Sequence, residues 1–373
     1  MRGVDVMRDE EGLMQYAVGG SDLPRADTQQ AAVTAGLVYV TDAEPGYTRR
    51  RAGKGFAYLD ETGRFLRDPF SLQRLRKLVI PPAWCEVWIC RQPAGHIQAT
   101  GRDARGRKQY IYHPDFRAAR EATKYGGLLS FARCLPRLRA RIEADMAKPG
   151  LPREKVLATV VYLLEATFIR IGNIDYAKQN RSYGITTLQN RHVKAQQNGE
   201  LRFRFTGKSG RIWQLRLRDR RVTRIVKACQ DLPGQQLFQY LDEAGQQQSV
   251  TSSDVNAYLR EIAASVNANA EITAKDFRTW GGTLLTALLL QAFPAPQTKK
   301  EAQRNLRATI KEVGARLGNT PTICRKCYIH PRIIEAYENG WHRLHIRKTK
   351  AAELKPEEVA LIALLETRKR VAR

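Results

Sequence analysis

Apolar and polar positions along this chain fall into two regimes. Between Leu37 and Tyr112 short apolar runs are cut by Gly and Pro: Leu37 to Thr41, Phe56 to Leu59, Cys85 to Cys90, Ile97 to Ala99 and Tyr110 to Tyr112. Runs of this length, rich in β-branched and aromatic residues, predict the strands of a small sheet. From about Phe116 the period lengthens. Val156, Val160, Leu164 and Phe168 recur every fourth residue, so Val156 to Ile171 is expected to be a helix with one buried face.

The helical regime contains one strand-like interlude. Leu201, Phe203 and Phe205 alternate with Arg202, Arg204 and Thr206, and Trp213, Leu215 and Leu217 alternate with Gln214, Arg216 and Arg218. The turn Gly207-Lys208-Ser209-Gly210 between them predicts a β-hairpin with Lys208 at its tip. Further on, Thr283 to Phe293 reads as a buried helix, and Glu301 to Leu317 as an amphipathic one ended by Gly318 at C′. Thr320 and Pro321 then supply an N-cap and a first helical residue, which places Tyr328 at or just past the end of a short helix, before Pro331.

The expected organisation is an α+β protein of two folded parts. Residues 1–30 are polar, lack periodicity and contain Met1, Met7 and Met14, so they read as a flexible leader. Residues 31–115 form a β-rich N-terminal domain and residues 116–345 a larger, mainly helical domain. Residues 346–373 read as a basic terminal helix or tail, centred on Lys355 to Arg370.

Charge narrows the function. The 373 residues hold 63 Lys plus Arg against 37 Asp plus Glu, a net +26 spread through folded-looking sequence. Such a surface repels itself unless phosphates neutralise it, which points to a nucleic-acid partner bound in a salt-sensitive way. No stretch approaches the roughly 20 apolar residues of a membrane span, and none resembles a signal peptide, so a cytoplasmic location is expected. The six cysteines are scattered, as in reduced intracellular proteins. Cys324 and Cys327 make one CxxC without a second Cys or His pair at zinc spacing, so no metal site is expected there.

A tyrosine can attack a phosphodiester where cations hold the charge of the pentacoordinate phosphorus and the departing 5′ oxygen receives a proton. Arginine suits the non-bridging oxygens, because its planar fork donates bidentately and stays protonated. A lysine near arginines has its pKa lowered and can serve as the acid. The chain offers these residue types in Phe168-Ile169-Arg170-Ile171-Gly172, Gly207-Lys208, Lys275-Asp276-Phe277-Arg278-Thr279-Trp280-Gly281 and Leu317-Gly318-Asn319, with Tyr328 nine residues beyond Asn319. In that order these motifs resemble the type IB DNA topoisomerases, nearest the poxvirus and bacterial branch, over roughly residues 35–345.

The resemblance implies that Tyr328 forms a 3′-phosphotyrosyl link, that Arg170 and Arg278 clamp the scissile phosphate, and that Lys208 is the general acid. It also implies relaxation of supercoiled duplex DNA by a monomer without ATP, metal or cofactor, in a bacterial cytoplasm. Asn319 stands where many family members carry a histidine; its amide can donate a hydrogen bond but adds no charge. Tyr176 and Lys275 occupy positions that contact DNA near the cut in the family.

The blocks Gly95 to Asp103 and Arg107 to Pro114 resemble the same branch. There the alternation of Gln109, Tyr110, Ile111 and Tyr112 puts both tyrosines on one face of a strand, able to meet base edges, while Arg107 and Lys108 hold phosphates. In the family the two domains close as a clamp on the duplex. Two other functions stay open at this point: a tyrosine recombinase, which shares two arginines, a lysine and a tyrosine, and a non-catalytic DNA-binding protein. Single residues also have plainer readings. Arg170 can be a helix-end cation, Lys208 a solvated hairpin residue, Arg278 a surface cap, and Tyr110 and Tyr112 sheet packing. His330, two residues past Tyr328, is a further candidate base without a role in the resemblance.

Overall fold

The computed structural model describes residues 25–346 and 354–366, apart from 54, 105, 124, 269 and 342. It combines helices with antiparallel sheets, and the chain divides into a first unit ending at Tyr125 and a second starting at Gly126. Most of the expected leader, residues 1–24, lies outside the described residues. The rest of it does not read as a leader in three dimensions, since helix α1 already begins at Arg25.

The first unit runs α1 (Arg25–Thr34), β1 (Tyr47–Ala52), β2 (Gly55–Leu59), α2 (Pro69–Lys77), β3 (Cys85–Ile89), β4 (Ile97–Arg102), β5 (Lys108–Tyr112) and α3 (Pro114–Thr123). Its strands form one antiparallel sheet in the order β2-β1-β3-β4-β5. Leu75 of α2 packs on that sheet with Ile80, Val87, Ile89 and Ala99. A second cluster joins Ala32 of α1, Leu37 and Phe116 of α3, with Tyr39 and Tyr112 against it. The change of pattern at Phe116 is therefore the start of α3, a helix that stays with the first unit because Phe116 is in that cluster.

Two strand expectations differ from the structure. Leu37 to Thr41 makes only an isolated bridge, Val38 to Gly95, because the Val40 N–H donates to the side-chain Nδ1 of His96 and not to a neighbouring strand. Conversely β1 escapes pattern reading, since it carries Arg49, Arg50 and Arg51. Arg49 sits there in place of a hydrophobe by donating to the carbonyls of Ile80, Pro81 and Trp84 at 2.8, 2.9 and 2.9 Å, with its guanidinium 4.1 Å from the centre of the Phe56 ring.

The second unit opens with α4 (Leu128–Ala147), α5 (Arg153–Thr167) and α6 (Ile174–Asn180). A three-stranded sheet of β6 (Val193–Ala195), β7 (Glu200–Thr206) and β8 (Ile212–Arg218) follows, then α7 (Arg220–Gln230) and the small pair β9 (Gln239–Leu241) and β10 (Gln247–Ser249). The chain continues as α8 (Ser252–Ala264), α9 (Ala274–Leu290), α10 (Lys299–Leu317), α11 (Pro321–Tyr328), α12 (Pro331–Glu338) and α13 (Pro356–Glu366). The β7–β8 hairpin has the expected register, Leu201 opposite Leu217 and Phe205 opposite Trp213.

Helix α9 is central, touching α4, α5, α8, α10, α11, α12 and α13. It starts nine residues before the expected Thr283, so the whole Lys275 to Gly281 motif lies inside it. Its N-terminus is fixed by a capping box in which the Thr273 N–H donates to Asp276 at 2.8 Å. Buried hydroxyls on this helix are satisfied within it, Thr283 donating to the Thr279 carbonyl and Thr286 to that of Gly282, both at 2.7 Å. At the other end of the chain, half of the expected basic terminal helix or tail lies outside the described residues. The described helix α13 is apolar and carries Glu357, Glu358 and Glu366, while the basic residues 368–370 lie outside the described residues. Its apolar face covers α4 and α9, and the buried Glu358 binds Arg139 of α4.

Candidate active site

The site is built where α5, α9, α10 and α11 meet. Helix α5 stops at Thr167, earlier than the expected Ile171, because Phe168 turns left-handed with φ 56°. That conformation costs a residue other than glycine roughly 1–2 kcal/mol. It aims the Phe168 carbonyl at α9, where it accepts from the Arg278 guanidinium. A second donation, at 2.6 Å, goes from Arg278 to the carbonyl of Leu317, the last residue of α10. Arg278 is only 3% exposed, so it is no surface cap. Among the described residues its Nε has no partner.

The guanidinium carbon of Arg278 lies 4.8 Å from the centre of the Tyr328 ring. Tyr328 is the last residue of α11, which begins with the expected Thr320 cap and Pro321. Close approach of α11 to α9 requires Gly282, where a Cβ would stand 2.6 Å from the Tyr328 carbonyl oxygen. Burial by itself would raise the Tyr328 phenol. The charge of Arg278, the charge of Arg170, a hydrogen bond from Arg278 and the charge of Lys275 outweigh it and leave the phenol below its ordinary value of 10.0. Burial, then the charge of Arg170, lowers the Arg278 guanidinium to about 10, so it remains protonated at neutral pH.

Arg170 lies in an extended segment past α5, not on a helix end, and its carbonyl accepts from Ile185 N–H at 2.7 Å. Its guanidinium donates to the Asn319 side-chain oxygen. Asn319 is buried on the α10–α11 turn, with its N–H on the Gly314 carbonyl at 2.8 Å. Its amide oxygen is thus committed to Arg170, and its Nδ2 reaches the Leu317 carbonyl only at 3.5 Å. The turn is possible because Gly318 is left-handed, as its position at C′ predicts.

Lys208 is exposed at the tip of the β7–β8 hairpin, its ammonium 5.9 Å from the centre of the Tyr176 ring on α6. Four of the five expected catalytic residues thus form two contacting pairs, Arg170 with Asn319 and Arg278 with Tyr328, linked by the charge of Arg170 on Arg278 and Tyr328, and Lys208 stands beside Tyr176. Lys275 is exposed on the first turn of α9, within electrostatic range of Tyr328. His330 is a capping residue: its Nδ1 accepts from Arg332 N–H at 3.1 Å. Burial, then the Arg332 charge, pulls its pKa down to about 4. Cys324 is buried, and burial pushes its thiol up to about 12, which makes it a packing residue. Among the described residues no His, Cys, Asp and Glu cluster could hold a metal ion.

In the first unit, Tyr110 and Tyr112 stack at 5.9 Å on one face of β5. Tyr112 also packs against Phe116, with ring centres 5.4 Å apart, so the packing reading holds for this residue. The polar residues expected to face DNA are held by carboxylates. Arg107 and Gln109 donate to Asp103 at 2.8 and 3.1 Å, and Lys108 pairs with Asp42 at 2.5 Å. Sequence reading missed Phe168 and Gly282, which set the approach of the helices. A glycine pair after Trp280 on an otherwise apolar helix was the available signal.

Comparison with known proteins follows the same residues. Residues 113–355 match the catalytic core of eukaryotic DNA topoisomerase I, and residues 55–103 match the N-terminal domain of bacterial DNA topoisomerase IB. DNA topoisomerase 1B of Acanthamoeba polyphaga mimivirus is 32% identical over 302 residues, covering 79% of this chain and 88% of the relative. DNA topoisomerase 1B of vaccinia virus (strain Copenhagen) is 25% identical over 246 residues, covering 63% and 70%. DNA topoisomerase 1 of rabbit fibroma virus is 23% identical over 280 residues, covering 70% and 80%. A tyrosine beside one arginine and within the field of a second, on a chain whose two units each match a type IB topoisomerase family and whose mimivirus relative is 32% identical, leads to one statement of kinship: the chain belongs to the type IB DNA topoisomerases.

Proposed function

We propose that Tyr328 is the strand-cutting nucleophile of this topoisomerase. The phenol, its pKa lowered by the neighbouring arginines, gives its proton to solvent, and its oxygen bonds to the phosphorus of one strand as the bond to the 5′ oxygen breaks, leaving a 3′-phosphotyrosyl link and a 5′ hydroxyl. Lys208 supplies the proton to that leaving oxygen. Arg170 and Arg278 bind the non-bridging oxygens, and Asn319 adds a neutral donor through Nδ2 while its oxygen keeps Arg170 in place. The unpartnered, buried Nε of Arg278 gives the phosphate a donor already desolvated. Rotation about the intact strand releases supercoils, and the 5′ hydroxyl reverses the first step. The phosphotyrosyl bond conserves the energy of the broken one, so ATP is not needed. The arginines supply the positive charge that a metal ion supplies in other phosphoryl-transfer enzymes.

The convergence of two guanidinium groups on one half-buried phenol of lowered pKa carries this reading. In the same proposal the two units close around duplex DNA as a monomer, in a bacterial cytoplasm. Gln109, Tyr110 and Tyr112 face the groove, Arg107 and Lys108 exchange their carboxylates for phosphates, and Tyr176 and Lys275 touch DNA near the cut. Among the described residues no helix is long and apolar enough to cross a membrane.

The test is relaxation of supercoiled plasmid in EDTA without ATP, with detergent trapping of covalent protein–DNA adducts. Tyr328→Phe is expected to abolish relaxation and adducts while leaving DNA affinity within about twofold, since the hydroxyl contributes to chemistry rather than to phosphate neutralisation. Adducts persisting in that variant move the nucleophile to another residue.

A further inference from the structure

The Lys208 loop is tied to the same corner that holds Asn319, and Arg211 makes the tie. Lys208 to Gly210 form a tight turn in which Ser209 and Gly210 are left-handed, with φ of 66° and 76°. The turn is closed by the Gly207 N–H donating to the Arg211 carbonyl at 2.7 Å. The Arg211 side chain then leaves the hairpin altogether and donates to the carbonyl of Ala315, in the last turn of α10, at 3.3 Å. That carbonyl also receives the Gly318 N–H at 3.2 Å, so Arg211 is attached to the turn that delivers Asn319.

Trp213 makes a parallel contact two residues on. Its indole lies so close to Gly318 and to Gly207 that a Cβ at either would come within 2.4 and 2.6 Å of the ring. One tryptophan is therefore wedged between the two ends of the arrangement, and it stacks on Phe205 of the facing strand at 6.0 Å. The charge of Arg170 also reaches Arg211. Packing around the Arg211 guanidinium, and then the charge of Arg170, lowers the Arg211 pKa.

We propose that Arg211 is a positioning residue that latches the Lys208 loop onto the last turn of α10, fixing Lys208 relative to the corner that carries Asn319 and leads to Tyr328. The inference rests on the reading of Lys208 as general acid. Arg211 touches neither Tyr328 nor the leaving oxygen in this scheme; it acts through the loop. A helix C-terminal carbonyl is a suitable anchor, since cations are favoured there.

The experiment compares single-turnover cleavage of two suicide duplexes, one with an ordinary scissile phosphodiester and one with a 5′-bridging sulfur, whose thiolate departs without a proton. Wild type, Lys208→Ala, Arg211→Ala and Arg211→Lys are measured on both, with melting temperature and the salt dependence of DNA affinity recorded for each. Arg211→Ala is expected to cleave the ordinary duplex about 10- to 100-fold more slowly, a part of the 10²–10⁴-fold that a positioned acid contributes. On the sulfur duplex it is expected to return to within about threefold of wild type, and Arg211→Lys to fall between the two on the ordinary duplex.

Recovery of Lys208→Ala on sulfur without recovery of Arg211→Ala overturns the latch while leaving the role of Lys208 intact. Failure of Lys208→Ala itself to recover overturns the general-acid reading on which the latch rests. An Arg211→Ala variant unrescued by sulfur whose salt slope is shallower by about one contact makes Arg211 a plain phosphate ligand and also overturns the latch. A melting temperature well below wild type in Arg211→Ala, with Arg211→Lys equally slow on both duplexes, makes the contact a matter of fold stability and overturns it as well.

Discussion

The two units hold their key cations in opposite ways. In the second unit the guanidinium of Arg278 rests on two backbone carbonyls and that of Arg170 on a neutral amide oxygen. In the first unit Arg107 and Gln109 share the carboxylate of Asp103, and Lys108 is paired with Asp42. A carbonyl orients a cation without cancelling its charge, whereas a carboxylate cancels it. In the proposed function the two arginines are therefore ready for a phosphate before DNA arrives, and the strand-β5 residues give up an ion pair to meet one. Under that proposal, cations held by carbonyls suit phosphate chemistry and cations held by carboxylates suit a weaker, reversible phosphate contact.

The comparison breaks first at Arg278. Arg278→Lys keeps a charge but cannot span the Phe168 and Leu317 carbonyls and also offer a third donor. Cleavage is expected to fall about 10²- to 10³-fold in single-turnover assays, the range for losing one fixed donor to a transition-state oxygen. A loss below about tenfold means that charge alone suffices and that the carbonyl cradle is incidental.

A smaller effect sharpens the other half. Asp42→Asn frees Lys108 from an exposed ion pair of the kind that contributes about 0.2–1 kcal/mol, so DNA affinity at low salt is expected to rise about two- to fivefold. The rate of cleavage once DNA is bound stays as in wild type. Weaker binding in a fluorescence titration makes Asp42 a support that aims Lys108, and removes the contrast between the units at that residue.

The smallest effect concerns His330, two residues past Tyr328 yet used as a helix cap. Its folded pKa of about 4 lies below the unfolded value of roughly 6.5. The unfolded chain therefore takes up a proton that the folded one refuses, and this contribution to stability is complete above about pH 6.5 and declines as pH falls toward 4. His330→Asn, which can still cap α12, is expected to flatten the fall of melting temperature between those two values and to leave the pH profile of cleavage unchanged. A shifted cleavage profile makes His330 part of the proton chemistry instead.

Much of the site was legible in the sequence because its motifs sit at local signals. The Thr320-Pro321 start of α11 and the Gly318 stop of α10 place Tyr328 and Asn319, and alternation on β7 and β8 places Lys208 at a hairpin tip. The ends of α5 and α9 were less legible. Phe168 gives no sign of a left-handed turn, and the start of α9 depends on a Thr273 and Asp276 box hidden in a polar stretch. Strand β1 was missed because three successive arginines break its apolar pattern, one of them, Arg49, being held by distant carbonyls. The recombinase and the non-catalytic DNA-binding alternatives were separated from the topoisomerase by family membership, the recombinase because two arginines, a lysine and a tyrosine suit either kind of strand transfer.

By itself the sequence determined the order of the motifs that carry the kinship, the mix of helices and antiparallel strands, and the hairpin that carries Lys208. Those features depend on periodicity, turn residues and caps, which act over a few neighbouring positions. Only the tertiary structure decided which groups orient the cations: a carbonyl of Phe168 for an arginine 110 residues away, an amide of Asn319 for Arg170 at a separation of 149, and a carbonyl of Ala315 for Arg211 at 104. Backbone carbonyls are the same in every residue, so nothing in the sequence marks the ones that a fold will bring beneath a guanidinium.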